Sequence, residues 1–230
     1  MNGHIAVAID GPSGAGKSSL ARRCAAQFGL IYVDTGAIYR TVGLAALRAG
    51  INRRDEAAVG ALLPTLAIEL RYDESGEQRM LLNGEDVSAE IRLPEVSLCA
   101  SDVSALPVVR AFLLEMQRKL AREHDVVMDG RDIGTVVLPE AELKLFLTAS
   151  SEARAVRRLK ELQAKGVKAD FDTVLRDIEY RDQQDSTRAA APLRAAEDAV
   201  PLDTTALDFE QSAAALSALL RERFGLEEKA

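Results

Sequence analysis

The first clear hydrophobic pattern in the chain is His4–Ile9 (HIAVAI), an apolar run without alternation, followed at once by Asp10 and a cluster of Gly, Pro and Ser. Runs of this kind suit strands buried on both faces, as in a parallel sheet. Lys17–Phe28 changes to helical spacing through Leu20, Cys24 and Phe28, with Gly29 as its stop. Leu30–Val33 reads as a second buried strand, Asp34-Thr35-Gly36 as a turn, and Ala37–Ala49 as a helix. The segments Asp125–Met128, Leu143–Leu147 and Ala199–Leu202 repeat the buried-strand pattern, most of them separated by helical stretches. Strands alternating with helices need crossovers, which predicts an α/β fold: a parallel five-stranded sheet covered by helices on both faces.

Two segments depart from this rhythm. Ile68, Leu70 and Tyr72 alternate with polar residues, and Asn83-Gly84 is a strong hairpin signal, with Gly76 an earlier turn. A small antiparallel β insertion is therefore expected between the second helix and Pro107, where the next long helix starts. Ser151–Ala190 is rich in arginine and acid and carries two helical patterns split at Gly166. Its polarity suits a mobile helical lid better than a core. The resulting partition assigns residues 1–40, 88–150 and 191–230 to the core, 41–87 to an insertion region, and 151–190 to the lid.

With 230 residues, 47% of them hydrophobic, the chain can bury one sizeable core. Its net charge of −7 argues against general adhesion to nucleic acid or to an anionic membrane. No apolar run approaches the roughly twenty residues needed to cross a bilayer. The N-terminus lacks a basic segment followed by an apolar one, so a cytoplasmic location is expected. Cys24 and Cys99 have no metal or redox spacing, and His4 and His124 stand alone, so all four read as structural.

Chemistry enters with Gly11-Pro12-Ser13-Gly14-Ala15-Gly16-Lys17-Ser18, which matches G-x-x-x-x-G-K-[ST] and lies between a buried strand and a helix. Glycines let the backbone fold round an anion with successive N–H groups pointing inward. The helix adds its N-terminal dipole and Lys17 a point charge. Ser18 is placed to ligate Mg²⁺, with Ser19 beside it. Val126-Val127-Met128-Asp129 ends a strand on a carboxylate suited to the metal's outer shell, through water.

Such a loop serves kinases, hydrolytic motors and GTP switches alike. The chain has no Asn-Lys pair, hence no guanine reader of the switch type. A kinase joins two phosphorylated reactants and needs cations around the acceptor. Arg40 follows the second strand, and Arg131 lies in DGRDIG directly after another, at the edge where open α/β sheets bind ligands. Arg154, Arg157 and Arg158 share one helix face; Arg181, Asp185 and Arg188 form a second stripe if their helix extends that far.

IDGPSGAGKSS (Ile9–Ser19), DTGAIYR (Asp34–Arg40), DGRDIGTVV (Asp129–Val137), RDQQDSTRAAAPL (Arg181–Leu193) and LDTT (Leu202–Thr205) together resemble the bacterial-type cytidylate kinase family, over nearly the whole chain. The resemblance implies a P-loop kinase core, an enlarged monophosphate-binding region at 41–87, and phosphorylation of CMP and dCMP by ATP with Mg²⁺. It implies ATP phosphate binding by Gly11 to Ser19, with Arg157 and Arg158 on the donor side. Thr35, Arg40 and Arg131 would surround the acceptor, the two arginines mainly at its phosphate. Ser101, Arg110 and Asp132 would read cytosine. Arg181 and Asp185 would contact ribose, and Arg188 would clamp phosphates. Lys17, Arg131, Arg181 and Arg188 are thus the candidate catalytic cations. The chain departs from related kinases in having Ser18-Ser19 where Gly-Thr is frequent; this leaves the Mg²⁺ hydroxyl open, although spacing favours Ser18. Independently of the resemblance, a carboxylate such as Asp132 is a natural acceptor for the cytosine amino group and opposes the uracil oxygen. No nucleic-acid or membrane partner is expected, and the enzyme is expected to act as a monomer. A kinase for another small acceptor, or a nucleotide-dependent switch, would share the loop.

Overall fold

The computed structural model describes residues 4–164 and 166–227. Their contacts divide them into two compact units: one holds the residues up to Tyr32 and those from His124 onward, the other Val33–Glu123.

In the first unit, β1 (Ala6–Asp10) is central, parallel to β6 (Val126–Gly130) on one side and β7 (Leu143–Thr148) on the other. β8 (Val200–Asp203) extends the sheet parallel to β7, and β2 (Ile31–Asp34) completes the five-stranded order β2-β6-β1-β7-β8. The apolar runs of β1, β6 and β7 are buried as expected, whereas the run read as a buried strand at Ala199–Leu202 forms the edge strand β8, where Pro201 is exposed and Val200 and Leu202 are half-buried. Val7, Ile9, Val127, Leu145 and Leu147 pack with Leu20, Cys24 and Phe28 of α1 (Lys17–Phe28) and with Leu216 and Leu220 of α8 (Phe209–Phe224). Gly29, in the left-handed conformation, ends α1 as expected. The arginine-rich stretch forms α6 (Ser151–Ala164) and α7 (Phe171–Thr187), which share a small apolar cluster of Ala155, Val174 and Ile178.

The second unit has its own core. Ile38, Val42 and Leu44 of α2 (Thr35–Arg48) pack with Val59 of α3 (Glu56–Leu62), Val96 and Val103 of α4 (Pro94–Ser104), and Val109 and Leu113 of α5 (Pro107–Glu123). The expected antiparallel insertion is present as β3 (Ile68–Tyr72), β4 (Gln78–Leu82) and β5 (Glu85–Asp86). Asn83 and Gly84 join β4 to β5, both with positive φ, as a type I′ turn requires. This unit is larger than residues 41–87 because α2, α4 and α5 bury their apolar faces in the same core as the insertion.

Three local readings change. Asp34-Thr35-Gly36 is not a turn: the Asp34 carboxylate accepts the Ala37 N–H at 2.9 Å, capping a helix that starts at Thr35. Helices α3 and α4 were not anticipated; Asp55 caps the first, and the second starts at Pro94. The stripe Arg181-Asp185-Arg188 is broken, because α7 stops at Thr187 and Arg188 takes up an extended conformation. No single described helix is long and apolar enough to cross a membrane.

Candidate active site

The phosphate loop runs from the end of β1 to the start of α1. Gly11 has φ +150°, and a Cβ there would fall 1.9 Å from the Leu147 carbonyl oxygen of β7, so only glycine fits. Gly14 and Gly16 also have positive φ, and no side chain caps the first turn of α1. The N–H groups that α1 leaves unpaired are therefore available to an anion. Lys17, 5% exposed, donates to the Pro12 carbonyl at 2.8 Å. Burial, helped by the Arg131 charge, pushes its pKa down to about 7, while Asp129 and Asp10 oppose the fall.

Asp129, in β6, accepts from the Ser18 hydroxyl at 2.8 Å on one oxygen and from the Tyr32 hydroxyl at 3.1 Å on the other. Ser18 and Asp129 thus place a hydroxyl and a carboxylate oxygen beside the loop lysine. An all-oxygen pair fits Mg²⁺, which takes few protein ligands and completes its shell with water and substrate phosphate. Tyr32, which orients this carboxylate, was not anticipated; its position on a strand neighbouring β6 depends on sheet order.

Beyond β6 the chain turns through Arg131 and Asp132. Arg131 Nε donates to Asp185 at 2.7 Å, Arg188 lies 3.3 Å from Asp132, and Arg188 is 3.8 Å from the second Asp185 oxygen. The four alternate in sign as Arg131-Asp185-Arg188-Asp132, so the carboxylates hold the cations among buried surroundings. Arg188 also donates to the Ala191 carbonyl at 2.6 Å, which fixes it although it lies outside the helix. Arg181 is differently placed: burial lowers its pKa, and the like charges of Arg158 and Arg131 add to the effect.

Residue Asp10, absent from the sequence-level candidates, sits at the root of both features. It is 3% exposed and accepts from the Ile133 N–H at 2.7 Å and the Gly134 N–H at 2.8 Å. Burial pushes its pKa up to about 6, against the effect of the two N–H donors.

The three arginines of α6 have separate fates. Arg154, expected only as a member of the helical stripe, is buried and donates to the Ser13 carbonyl and to Asp182. Arg157 donates to the Thr204 hydroxyl at 3.1 Å and the Leu207 carbonyl at 3.3 Å. Arg158 is half-buried and pairs with Glu161 at 3.0 Å.

The second unit carries Thr35, Arg40, Ser101 and Arg110. Thr35 is buried at the start of α2, and Arg40 pairs with Asp34 at 2.7 Å, leaving its buried Nε without a hydrogen-bond partner among the described residues. Arg110 lies over the Tyr39 ring at 5.4 Å and donates to the Ser104 carbonyl at 3.1 Å. The Ser104 hydroxyl in turn donates to the Ser101 carbonyl at 3.0 Å, which links the expected pair Ser101 and Arg110 within this unit.

A glycine loop with a buried lysine, a hydroxyl–carboxylate pair beside it and an arginine network off the next strand define a P-loop kinase. The family model for cytidylate kinase matches residues 7–222, and the chain belongs to the cytidylate kinase family, whose members are nucleoside-monophosphate kinases. It is 49% identical to the cytidylate kinase of Syntrophotalea carbinolica over 224 residues, 97% of this chain and 94% of that one. It is 50% identical to that of Caldicellulosiruptor bescii over 207 residues, 90% and 91% of the two chains. The fold is shared with an uncharacterized protein from Eubacterium ventriosum, with a TM-score of 0.54 at 12% identity, covering 96% of this chain and 99% of that one.

Proposed function

We propose that the enzyme transfers the γ-phosphoryl group of ATP directly to the phosphate of CMP or dCMP. An acceptor phosphate oxygen attacks the γ-phosphorus as the bond to the β–γ bridging oxygen breaks, giving ADP and the nucleoside diphosphate. The acceptor oxygen is already anionic, so no general base is required. The work of the protein is in-line positioning and charge stabilisation.

Gly11 to Ser19 would cradle the donor phosphates, with Lys17 at the β/γ oxygens and Arg157 and Arg158 on the donor side. Ser18, and Asp129 through water, would hold the Mg²⁺ that comes with the nucleotide, which would supply neutralisation of phosphate charge. Arg131, Arg181 and Arg188 would spread charge over the transferring group, Arg181 and Asp185 would meet the ribose, and Asp132 would accept the cytosine amino hydrogen bond. Within Val33–Glu123, the proposed acceptor residues are Thr35 and Arg40 near the phosphate and Ser101 and Arg110 at the base. Residues 151–190 would act as the lid, and the enzyme would work as a cytoplasmic monomer.

The observation that carries this reading is the end of β6 with the turn after it. In four residues it offers a carboxylate bonded to the loop serine, an arginine, and a second carboxylate paired with Arg188. A coupled assay across the common monophosphates with ATP and Mg²⁺ tests it. CMP and dCMP should be the best acceptors and UMP poorer; turnover of another monophosphate ahead of both would refute the acceptor assignment. Asp132→Ala should lower the CMP/UMP ratio of kcat/KM by roughly 10-fold or more, as expected when a charged hydrogen-bond acceptor is lost.

A further inference from the structure

A residue at the entry of a helical turn ordinarily uses its own side chain to bind the unpaired N–H groups, and aspartate is among the best at it. Asp132 holds that position for the turn Ile133–Val137, with φ −148° and ψ 27°, and its side chain makes no cap. Its backbone carbonyl accepts from the Val136 and Val137 N–H groups at 2.9 and 3.2 Å, while its carboxylate points to Arg188. The capping is done from another strand. Asp10 sends one oxygen to the Ile133 N–H and the other to the Gly134 N–H. Gly134 allows this close approach: a Cβ there would lie 3.4 Å from the Asp10 oxygen and 3.2 Å from the Lys144 side chain.

We propose that Asp10 is a specificity-positioning residue: by capping the 133–137 turn in place of Asp132, it keeps the Asp132 carboxylate out of the cap and turned to Arg188, the orientation in which it would meet the acceptor base. The Gly134 N–H lies within the ordinary reach of two acceptors, Asp10 and the N-cap residue Asp132. With Asp10 in place the donors are satisfied by a buried, pre-oriented carboxylate. Without it, the buried N–H groups would be left unpaired, and Asp132, at the N-cap position, would be drawn to the Gly134 N–H. The base ligand would then be lost although its residue is still present. Asp10 also precedes Gly11 directly, so one side chain ties the start of the phosphate loop to the turn that carries Arg131 and Asp132. The inference rests on the proposed role of Asp132 as the base ligand.

The test compares CMP and UMP as acceptors in wild type, Asp10→Asn, Asp132→Ala and the double variant. Asp10→Asn keeps the shape and one acceptor but presents an amide N–H₂ to a backbone N–H. It should lower the CMP/UMP ratio of kcat/KM by about fivefold or more, and lower it little further in the Asp132→Ala background. A purely structural role would instead depress both acceptors together and leave the ratio within twofold, and that result overturns the proposal while leaving the Asp132 reading intact. If Asp132→Ala itself leaves the ratio unmoved, the base assignment falls and this inference with it. Should Asp10→Asn fold poorly, Asp10→Ser supplies one short acceptor, and its ratio decides by the same criterion.

Discussion

Asp182 of α7 accepts a hydrogen bond from Arg154 at 2.6 Å, and the same guanidinium donates to the Ser13 carbonyl of the phosphate loop at 2.9 Å. Its Nε reaches the Ala149 carbonyl at 2.8 Å, so one side chain, 5% exposed, joins the loop, the end of β7 and α7. A planar guanidinium donates here from three separate nitrogens fixed in one plane, an arrangement that the single nitrogen of an ammonium cannot reproduce. The carbonyl and the following N–H of a peptide point opposite ways. Drawing the Ser13 carbonyl toward Arg154 therefore turns the Gly14 N–H toward the other side of the loop backbone.

Arg154→Lys should accordingly lower kcat/KM for ATP by about 10-fold, since each charged hydrogen bond contributes roughly 1.5–3 kcal/mol and only some survive with an ammonium. Asp182→Asn removes the charge of the partner and keeps an acceptor oxygen, so its effect should be smaller. The double variant should lose less than the sum of the two, with a coupling of about 1 kcal/mol. Strict additivity in steady-state kinetics would mean that the contact does not serve the donor loop.

Lys17→Ala should reduce kcat by about 100-fold or more, because a charge placed on the phosphates is lost from the transition state. The pKa of about 7 adds a pH signature. Between that value and the usual one near 10.4 the folded protein binds fewer protons at this site than the unfolded chain, so this group's contribution to stability rises with pH across the window. A bound polyphosphate favours the charged lysine, so ATP binding near pH 8 should take up a proton. Calorimetry in buffers of different ionisation enthalpy measures that uptake directly. Uptake that persists unchanged in Lys17→Ala would assign the proton to another group.

Much of this arrangement was legible in the sequence, and what was not has a common cause. The buried strands, α1 with its Gly29 stop, the Asn83-Gly84 hairpin and the phosphate loop are local patterns, set by runs, periods and turn chemistry within a dozen residues. Helix α3 was also written locally, as Asp55 followed by Glu56, but its seven residues are too few to show a period. The roles of Asp10 and Tyr32, and the inward turn of Arg154, could not be found this way. Each acts through a partner more than ninety residues away: Ile133, Asp129 and Ser13. An aspartate before a glycine loop or a tyrosine in a strand carries no signal until the sheet order brings β1, β2 and β6 together. The arginine stripe of α6 was read correctly as helical, but helical spacing alone does not tell which arginine turns inward.

Two glycines of the second unit should respond to alanine in opposite senses. At Gly43 a Cβ would lie 2.8 Å from the Ala100 backbone nitrogen and 3.0 Å from the Cys99 carbonyl carbon, both in α4. Helix propensity favours alanine by about 1 kcal/mol, but forcing apart two packed backbones costs typically 1–3 kcal/mol, so Gly43→Ala should destabilise. At Gly60 in α3 the nearest atom would be a Val108 methyl carbon at 3.6 Å, an ordinary contact, so Gly60→Ala should be neutral or stabilising by up to about 1 kcal/mol. Denaturant melts of the two variants decide it, and equal effects would show that α2 and α4 are not held at the observed separation.

The lid assignment makes the broadest prediction. Helices α6 and α7 share a small apolar cluster of their own, and their tethers include polar contacts through Arg154 and Arg157. Segments held this way open at low free-energy cost compared with a sheet core. Arg181 is desolvated beside the like charges of Arg131 and Arg158, a repulsion that phosphate groups would relieve. Ligands carrying phosphates should therefore close and order this pair of helices. Hydrogen exchange measured with an ATP analogue and CMP together should show amides of residues 151–190 slowing by about 10-fold or more. Either ligand alone should give less, because the arginines lie toward both the donor and the acceptor in the proposed scheme. Arg181→Ala should weaken the combined protection while leaving that of β1 and β6 unchanged. Protection confined to the strands, with α6 and α7 exchanging as before, would leave these helices as a fixed part of the unit and end the lid proposal.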